Sequence, residues 1–136
     1  MAKKRTARDI MKSPVITVKK DMRVTEVMDL MAKSNVSGVP VVDDDGKLIG
    51  MVTIRLLMNI AIDGNAARTK VSEVMSKDAV YGPIYDLDTP VEELVNNFAG
   101  SRINRVLIVE NKKIVGVICR LEILHELNRI YNSFVS

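Results

Sequence analysis

The sequence has little of what a disulfide-built, membrane-spanning or base-stacking protein requires. Its 136 residues include one cysteine, no tryptophan, two phenylalanines and three tyrosines. A single cysteine cannot form an intramolecular disulfide, so the cysteine content does not indicate an oxidising compartment. So few aromatic rings offer poor stacking platforms for single-stranded bases. No apolar run approaches the roughly 18 residues of a membrane span, and MAKKRTARDIM lacks the apolar stretch of a signal peptide. A cytoplasmic protein without a membrane partner is therefore expected.

The chain also has little net charge of either sign. The net charge is +3, from 20 Lys and Arg against 17 Asp and Glu. Part of the excess lies in an N-terminal arm made of Lys3, Lys4, Arg5 and Arg8. Such a short basic arm is predicted to be a solvated end, and the small excess argues against a nucleic-acid partner. A chain of this length buries roughly 70% of its unfolded surface, so it needs no metal to fold.

The chain contains two copies of one pattern. The run DMRVTEVMDLMAKSNVSGVPVVDDDGKLIGMVTIRLLMNI at 21–60 aligns with DTPVEELVNNFAGSRINRVLIVENKKIVGVICRLEILHEL at 88–127. Upstream of these runs, DIM at 9–11 matches EVM at 73–75. Self-similarity at a nearly constant offset predicts two structural units of about 60 residues each.

Each copy begins with a short strand and an amphipathic helix. VITV at 15–18 and DAVY at 78–81 have the composition of strands. Thr89, Pro90 and Glu92 predict a capping box in which Thr89 is the N-cap. Apolar residues then recur at i, i+3, i+4 and i+7, which predicts a buried helix face. They are Val24, Val27, Met28 and Met31 in the first copy, and Val91, Leu94, Val95 and Phe98 in the second.

A hairpin follows in each copy. Asp45 and Gly46 predict a type I′ turn in the first, because Asp-Gly supplies two positive-φ positions. The second copy turns at 110–112. The acidic run 43–45 lacks the alternating spacing of a calcium loop, so it is predicted to be a solvated turn and not a metal site.

A last helix closes each copy, and the second one raises the question of catalysis. Ile123, Leu124, Leu127 and Ile130 form one face of this helix. His125 lies off that face and is predicted to be a surface residue. Cys119 stands six positions before His125, which puts the two on opposite faces if both are helical. A cysteine nucleophile needs a base within reach, so no enzyme activity is predicted.

The repeated order of strand, helix, strand, strand and helix, with VPVVDDDGKLIGMVT in the hairpin, closely resembles the CBS domain. The resemblance covers roughly 7–130 and implies an α+β fold of two tandem β-α-β-β-α repeats, at 7–63 and 71–131, packed with pseudo-two-fold symmetry. Together they would form one Bateman module with two clefts between the repeats. In this family such clefts commonly bind AMP, ADP, ATP or S-adenosylmethionine, and two modules often pair into a flat homodimer.

The family's ligand motif places a Ser or Thr where the last strand enters the last helix, followed three residues later by an Asp for the ribose diol. In the second copy Cys119 and Glu122 stand at these positions, so a carboxylate remains to accept the two hydroxyl donors. The resemblance assigns further positions of the same cleft to four more residues. They are Thr17 and Ser37 from the first copy, and Arg105 and Arg120 as cations that could contact phosphate.

The other cleft departs further from the family's pattern. Thr53 fits the hydroxyl position, but Leu56 replaces the Asp and cannot accept a hydrogen bond. By resemblance this cleft would also use Arg55, Asn104 and either Tyr81 or Tyr85, with an insertion near 81–83 blurring the alignment.

Two functions from different classes follow. The first is a non-catalytic regulatory sensor that binds an adenosine ligand, requires no cofactor and acts on a protein partner in trans. The second is a structural dimerisation module with degenerate clefts, which Leu56 and Cys119 favour.

Overall fold

A computed structural model describes residues 4–77 and 84–135 and shows an α+β fold. Within these ranges it contains two three-stranded sheets and five α-helices. The helices are α1 (Ala7–Ile10), α2 (Val24–Ser34), α3 (Ile54–Ile62), α4 (Val91–Ala99) and α5 (Arg120–Val135), with a 3₁₀ turn at Val71–Glu73. The strands are β1 (Val18–Lys19), β2 (Gly38–Val42), β3 (Leu48–Thr53), β4 (Ile84–Tyr85), β5 (Arg105–Glu110) and β6 (Lys113–Cys119).

The two sheets have the same topology. β1 pairs in parallel with β2, and β2 pairs antiparallel with β3. β4, β5 and β6 repeat this order and these directions. The predicted order of strand, helix, strand, strand and helix is therefore confirmed in both copies. Only Val18 of the run 15–18 is in a strand, and the run 78–81 lies outside the described residues.

The described residues form two compact units that differ from the two sequence copies. The first unit is 16–77, and the second unit is 4–15 together with 84–135. Each copy's opening segment is thus built into the other copy's unit. We call these segments the leaders, residues 5–12 in the second unit and 69–76 in the first.

The leaders are held by backbone hydrogen bonds at equivalent places. Lys12 and Val117 exchange two bonds of 2.9 and 3.1 Å between their backbone N–H and C=O groups. Met51 and Ser76 exchange the corresponding two, of 2.9 and 2.8 Å. An antiparallel bridge to the last strand of each sheet therefore fixes each leader.

Each unit has its own apolar core beneath its sheet. The predicted helix faces are confirmed, because each contributes three buried residues and a fourth that is partly buried. The buried ones are Val24, Val27 and Met31 in α2, and Val91, Leu94 and Phe98 in α4. The leaders add Ala7 to the second core and Val71 to the first, both fully buried.

The turn prediction for the first hairpin is wrong. Gly46 has a φ of 83°, but Asp45 does not have a positive φ. Asp43 accounts for the difference, since its Oδ1 accepts hydrogen bonds from the backbone N–H groups of Asp45 and Lys47, both at 2.9 Å. These bonds lower the pKa of the Asp43 carboxyl group. The type I′ geometry occurs in the second hairpin, where Asn111 and Lys112 have φ values of 54° and 67°.

Two helix predictions also need correction. Thr89 is not the N-cap of α4, which is Pro90, and no side chain caps this helix. Thr89 is instead buried, and its hydroxyl donates to Oδ1 of Asp86 at 3.2 Å. In α5, Ile123 is buried, but Leu124 and Leu127 are 57% and 45% exposed, so only part of the predicted face packs in the core.

Gly116→Ala should destabilise the second unit, because the leader crosses β6 at this residue. A Cβ at Gly116 would meet Sδ of Met11 and lie 2.8 Å from its Cγ and 3.0 Å from its Cβ. Met11 would have to move its Sδ and Cγ out of a favourable rotamer, so we expect a loss of about 1–2 kcal/mol in the free energy of unfolding, measured with urea. Met11→Ala as a background removes the Sδ and Cγ contacts, keeps only the Cβ contact, and should reduce this penalty. An equal penalty in both backgrounds would contradict the packing argument.

Candidate functional site

The junction between β6 and α5 positions the carboxylate expected to bind ribose. β6 ends at Cys119 and α5 begins at Arg120, which puts Glu122 in the first helical turn. The backbone N–H of Cys119 donates to Oε1 of Glu122 at 2.7 Å. A Glu at this position commonly satisfies the free N–H group that precedes a helix. One oxygen of Glu122 therefore accepts the hydrogen bond that caps the N-terminus of α5.

The second carboxylate oxygen has a cationic partner from the leader. Nζ of Lys12 lies 3.3 Å from Oε2 of Glu122. The Glu122 side chain is 10% exposed, whereas the Lys12 side chain is 62% exposed. Lys12 was not predicted as a site residue. The match of 9–11 with 73–75 was a signal for the leader, but it does not show that the leader crosses to the other copy's unit.

Arg105 completes a charged cluster around the thiol. It lies directly opposite Cys119 in the antiparallel pairing of β5 with β6. Burial, followed by the nearby Glu122 carboxylate, raises the pKa of the Cys119 thiol, while Arg105 and Lys12 oppose the rise. We call Lys12, Arg105, Cys119 and Glu122 the junction cluster. It offers a carboxylate and two cations around a thiol that stays protonated at neutral pH.

The equivalent junction of the first unit lacks this charge. Thr53 is the N-cap of α3, and its Oγ1 accepts from the backbone N–H of Leu56 at 3.4 Å. Leu56 is partly buried and stands where Glu122 stands in the second unit. The backbone N–H of Ile54 donates to the carbonyl oxygen of Ser37 at 3.0 Å. These contacts are those of a helix start, and Leu56 adds no acceptor to them.

The other predicted site residues that the structure describes are divided between the two units. Of these residues, Thr17 and Ser37 lie in the first unit and Arg120 in the second, where its Nε donates to the carbonyl oxygen of Ile103 at 3.1 Å. Arg55 and Asn104 are exposed. Tyr81 lies outside the described residues. Of the residues predicted for the better cleft, the structure brings Arg105, Cys119 and Glu122 together.

The geometry gives no support to a Cys–His nucleophile. His125 is exposed on α5, as its place off the apolar face predicted. A thiol whose pKa is raised is less often in its reactive thiolate form. Within residues 4–77 and 84–135, no three His, Cys, Asp or Glu side chains cluster in a way that could hold a metal ion.

The N-terminal arm is not simply a solvated end, which corrects the prediction. Arg5 binds the buried Glu126 of α5 through two hydrogen bonds, of 2.8 and 3.1 Å. Arg129 binds the same carboxylate from the next turn, at 3.0 and 2.9 Å. Arg8 makes a looser pair with Asp88 at 3.5 Å, and Lys3 lies outside the described residues. The arm therefore anchors the leader that carries Lys12.

Apolar side chains remain uncovered on the last helix of each unit. Ile54, Met58 and Ile62 are exposed on α3. Leu121, Leu124, Leu127, Tyr131 and Phe134 are exposed on α5. In the first unit, α2 and α3 also border an apolar groove of about 340 Å³, which includes Met28, Ala32 and Met58. Among the described helices, none is long and apolar enough to cross a membrane.

Comparison with protein families finds one family, which matches the chain at two consecutive places. A family model for the CBS domain matches residues 7–63 and 71–129. A CBS domain-containing protein of Bacillus subtilis, YhcV, is 32% identical over 114 residues, covering 83% of this chain and 79% of that protein.

Other curated relatives are much longer than the matched region. An inosine-5′-monophosphate dehydrogenase of Methanocaldococcus jannaschii is 34% identical over 119 residues, which cover 87% of this chain and 23% of that enzyme. An uncharacterized protein of Methanopyrus kandleri is 50% identical over 54 residues, 40% of this chain and 28% of that protein. The chain thus spans about a quarter of the length of these two relatives.

Solved structures share the fold at lower sequence identity. A CBS domain-containing protein of unknown function from Bacillus anthracis has a TM-score of 0.80 at 22% identity, covering 92% of this chain and 94% of that one. CBSX2 in complex with AMP has a TM-score of 0.76 at 22% identity, covering 93% and 98%. The CBS domain pair of MJ0100, in complex with 5-methylthioadenosine and S-adenosyl-L-methionine, has a TM-score of 0.75 at 21% identity, covering 93% and 98%.

Proposed function

Because the chain belongs to the CBS domain family, we propose that it is a non-catalytic regulatory module that binds an adenosine ligand. The two repeats, 7–63 and 71–131, act together as one module. Two structural neighbours hold ligands of this class, AMP in CBSX2 and S-adenosyl-L-methionine in MJ0100. We place the module in the cytoplasm, which agrees with its single unpaired cysteine.

The junction cluster is the observation that carries this proposal. A ribose has two neighbouring hydroxyl donors, and the Glu122 carboxylate can accept from them through its remaining lone pairs. Arg105 stands beside the junction, and a guanidinium suits forked hydrogen bonding to phosphate. The family's pattern assigns Thr17 and Ser37 to the same site, and Arg120 is a second candidate cation for the phosphate. No covalent step is needed, because regulation requires only a ligand that binds one conformation better than another.

The module regulates either a separate protein, on which it acts in trans, or a further domain of a longer chain. Ligand binding would bias the conformation of the module, and the target would respond to that bias. The family's pattern assigns Thr53, Arg55, Asn104 and either Tyr81 or Tyr85 to a second, weaker candidate site, in which Leu56 supplies no acceptor for a ribose.

Isothermal titration calorimetry with AMP, ADP, ATP and S-adenosylmethionine tests the sensor function. We expect at least one of them to bind with a Kd below about 1 mM, a free energy of about −4 kcal/mol. Absence of binding by all four at this level would refute the sensor.

A structural dimerisation module is the second candidate, and the uncovered apolar residues of α3 and α5 favour it. Exposed apolar patches larger than a few hundred Å² commonly mark protein interfaces. The occupant proposed for these faces is a second copy of this chain, since two modules of this family often pair. The two candidates differ in whether a ligand is needed.

Sedimentation velocity tests the pairing. The wild-type chain should sediment as a dimer, and Leu124→Asp combined with Met58→Asp should shift it to the monomer, because burying the new carboxylates costs more than the apolar contact gives. His125→Asp, exposed on α5 but off its apolar face, is the matched control and should stay dimeric. A monomeric wild-type chain would contradict the pairing.

A further inference from the structure

The two units differ at two positions that are linked in space. Lys12 and Ser76 occupy equivalent places, because each forms the leader's bridge to the last strand of its unit. Glu122 and Leu56 are equivalent too, each three residues beyond the end of that strand. The second unit has both the cation and the carboxylate, and the first unit has neither. The ion pair between Lys12 and Glu122 therefore occurs only at the junction that has a carboxylate to accept from a ribose, and it is not a general feature of the leaders.

Glu122 is held in place more firmly than Lys12. Glu122 is held by the Cys119 N–H at 2.7 Å and is 10% exposed. The Lys12 ammonium is 62% exposed, so it can leave the carboxylate and remain hydrated. Displacement of Lys12 frees Oε2 without disturbing the start of α5, because Oε1 makes that contact.

We propose that Lys12 is a specificity-determining residue of the nucleotide site, where its ammonium competes with the ribose for Oε2 of Glu122. This inference rests on the proposed function. Oε1 already accepts from Cys119, so the contact of Lys12 with Oε2 leaves the carboxylate fewer lone pairs for a diol. A ribose that donates both hydroxyls to this carboxylate competes with Lys12 for the lone pairs of Oε2, whereas a 2′-deoxyribose has no 2′-hydroxyl to donate and competes less. Lys12 therefore reduces the preference of the site for ribose over deoxyribose.

Calorimetry with AMP and 2′-deoxy-AMP tests the competition. The measured quantity is the ratio of the Kd of 2′-deoxy-AMP to the Kd of AMP, in which the contribution of the phosphate cancels. Lys12→Met keeps a side chain of similar length and removes the ammonium. We expect it to raise the ratio about three- to fivefold, the scale of one partly exposed ion pair. Lys12→Arg keeps a cation and should retain the wild-type ratio.

The control is a lysine of β6, the strand to which Lys12 is bridged, that lies outside the junction cluster. Lys113 is exposed at the opposite end of β6, so Lys113→Met changes the net charge equally and should leave the ratio unchanged. If AMP binds all variants and the ratio does not rise in Lys12→Met, the competition is refuted while the sensor stands. An equal rise in Lys113→Met would also refute it, since net charge would then explain the effect. If no variant binds AMP or any other adenosine ligand, the proposed function itself fails. A melting temperature for each variant shows that it is folded.

Discussion

Glu126→Ala should lower the free energy of unfolding by about 3 kcal/mol, the largest effect of a single substitution that we expect in this chain. The Glu126 side chain is 3% exposed, and its two oxygens accept four hydrogen bonds from Arg5 and Arg129. Without the carboxylate, the two guanidinium groups lose their counter-charge in a partly buried place. The estimate lies at the low end for a broken buried pair, because Arg5 and Arg129 are 38% and 49% exposed and can reach water.

The same carboxylate should make stability depend on pH. Hydrogen bonds from Arg129, and after them those from Arg5, lower the pKa of Glu126 from 4.5 to about 2, against the opposing effect of burial. A pKa that is lower in the folded state adds stability that is complete above the unfolded pKa. That stability is lost as the pH falls from about 5 towards 2. We expect the wild-type chain to lose about 2–3 kcal/mol more than Glu126→Gln over this interval, measured by urea unfolding at each pH.

The exposed pair between Arg8 and Asp88 provides the matched control. Its side chains are 58% and 86% exposed and 3.5 Å apart, so Asp88→Ala should cost less than about 0.5 kcal/mol. A cost for Glu126→Ala no larger than that of Asp88→Ala would show that the Glu126 network does not stabilise the fold.

Glu122→Gln should weaken the binding of adenosine nucleotides by about 10- to 100-fold, the scale of a hydrogen bond to a charged acceptor. The amide keeps one oxygen that can accept from the Cys119 N–H, so α5 can still begin at Arg120. It replaces the oxygen beside Lys12 with an N–H₂ group that cannot accept from a ribose hydroxyl. Calorimetry measures the loss, and far-UV circular dichroism checks that the helix content is retained.

Glu110→Gln gives the corresponding control for charge. Glu110 is exposed at the end of β5 where the chain turns into β6, away from the junction, and its substitution should leave the affinity unchanged. Unchanged nucleotide affinity in Glu122→Gln would remove Glu122 from the binding site, although nucleotide could still bind elsewhere on the chain.

The sequence by itself predicted the elements that depend on neighbouring residues. The periodic spacing of Val24, Val27 and Met31 is a local signal, and the same signal at Val91, Leu94 and Phe98 predicted the second copy's helix. The equal topology of the two sheets followed from the repeat. Local reasoning was wrong where a distant or side-chain contact decided the geometry, as when Asp43 reshaped its turn and Thr89 turned towards Asp86.

The sequence alone also placed Glu122 and Cys119 at a strand-to-helix junction, through comparison of the two copies. Only the tertiary structure decided which leader joins which unit. Lys12 reaches Glu122, and Arg5 reaches Glu126 across 121 positions of sequence, because each leader pairs with the other copy's last strand. Periodicity reports which face of an element is buried, but it carries no information about which distant segment covers that face. The distant partners of the two carboxylates, Lys12 and Arg5, were therefore fixed by the fold and could not be read from the residues around Glu122 and Glu126.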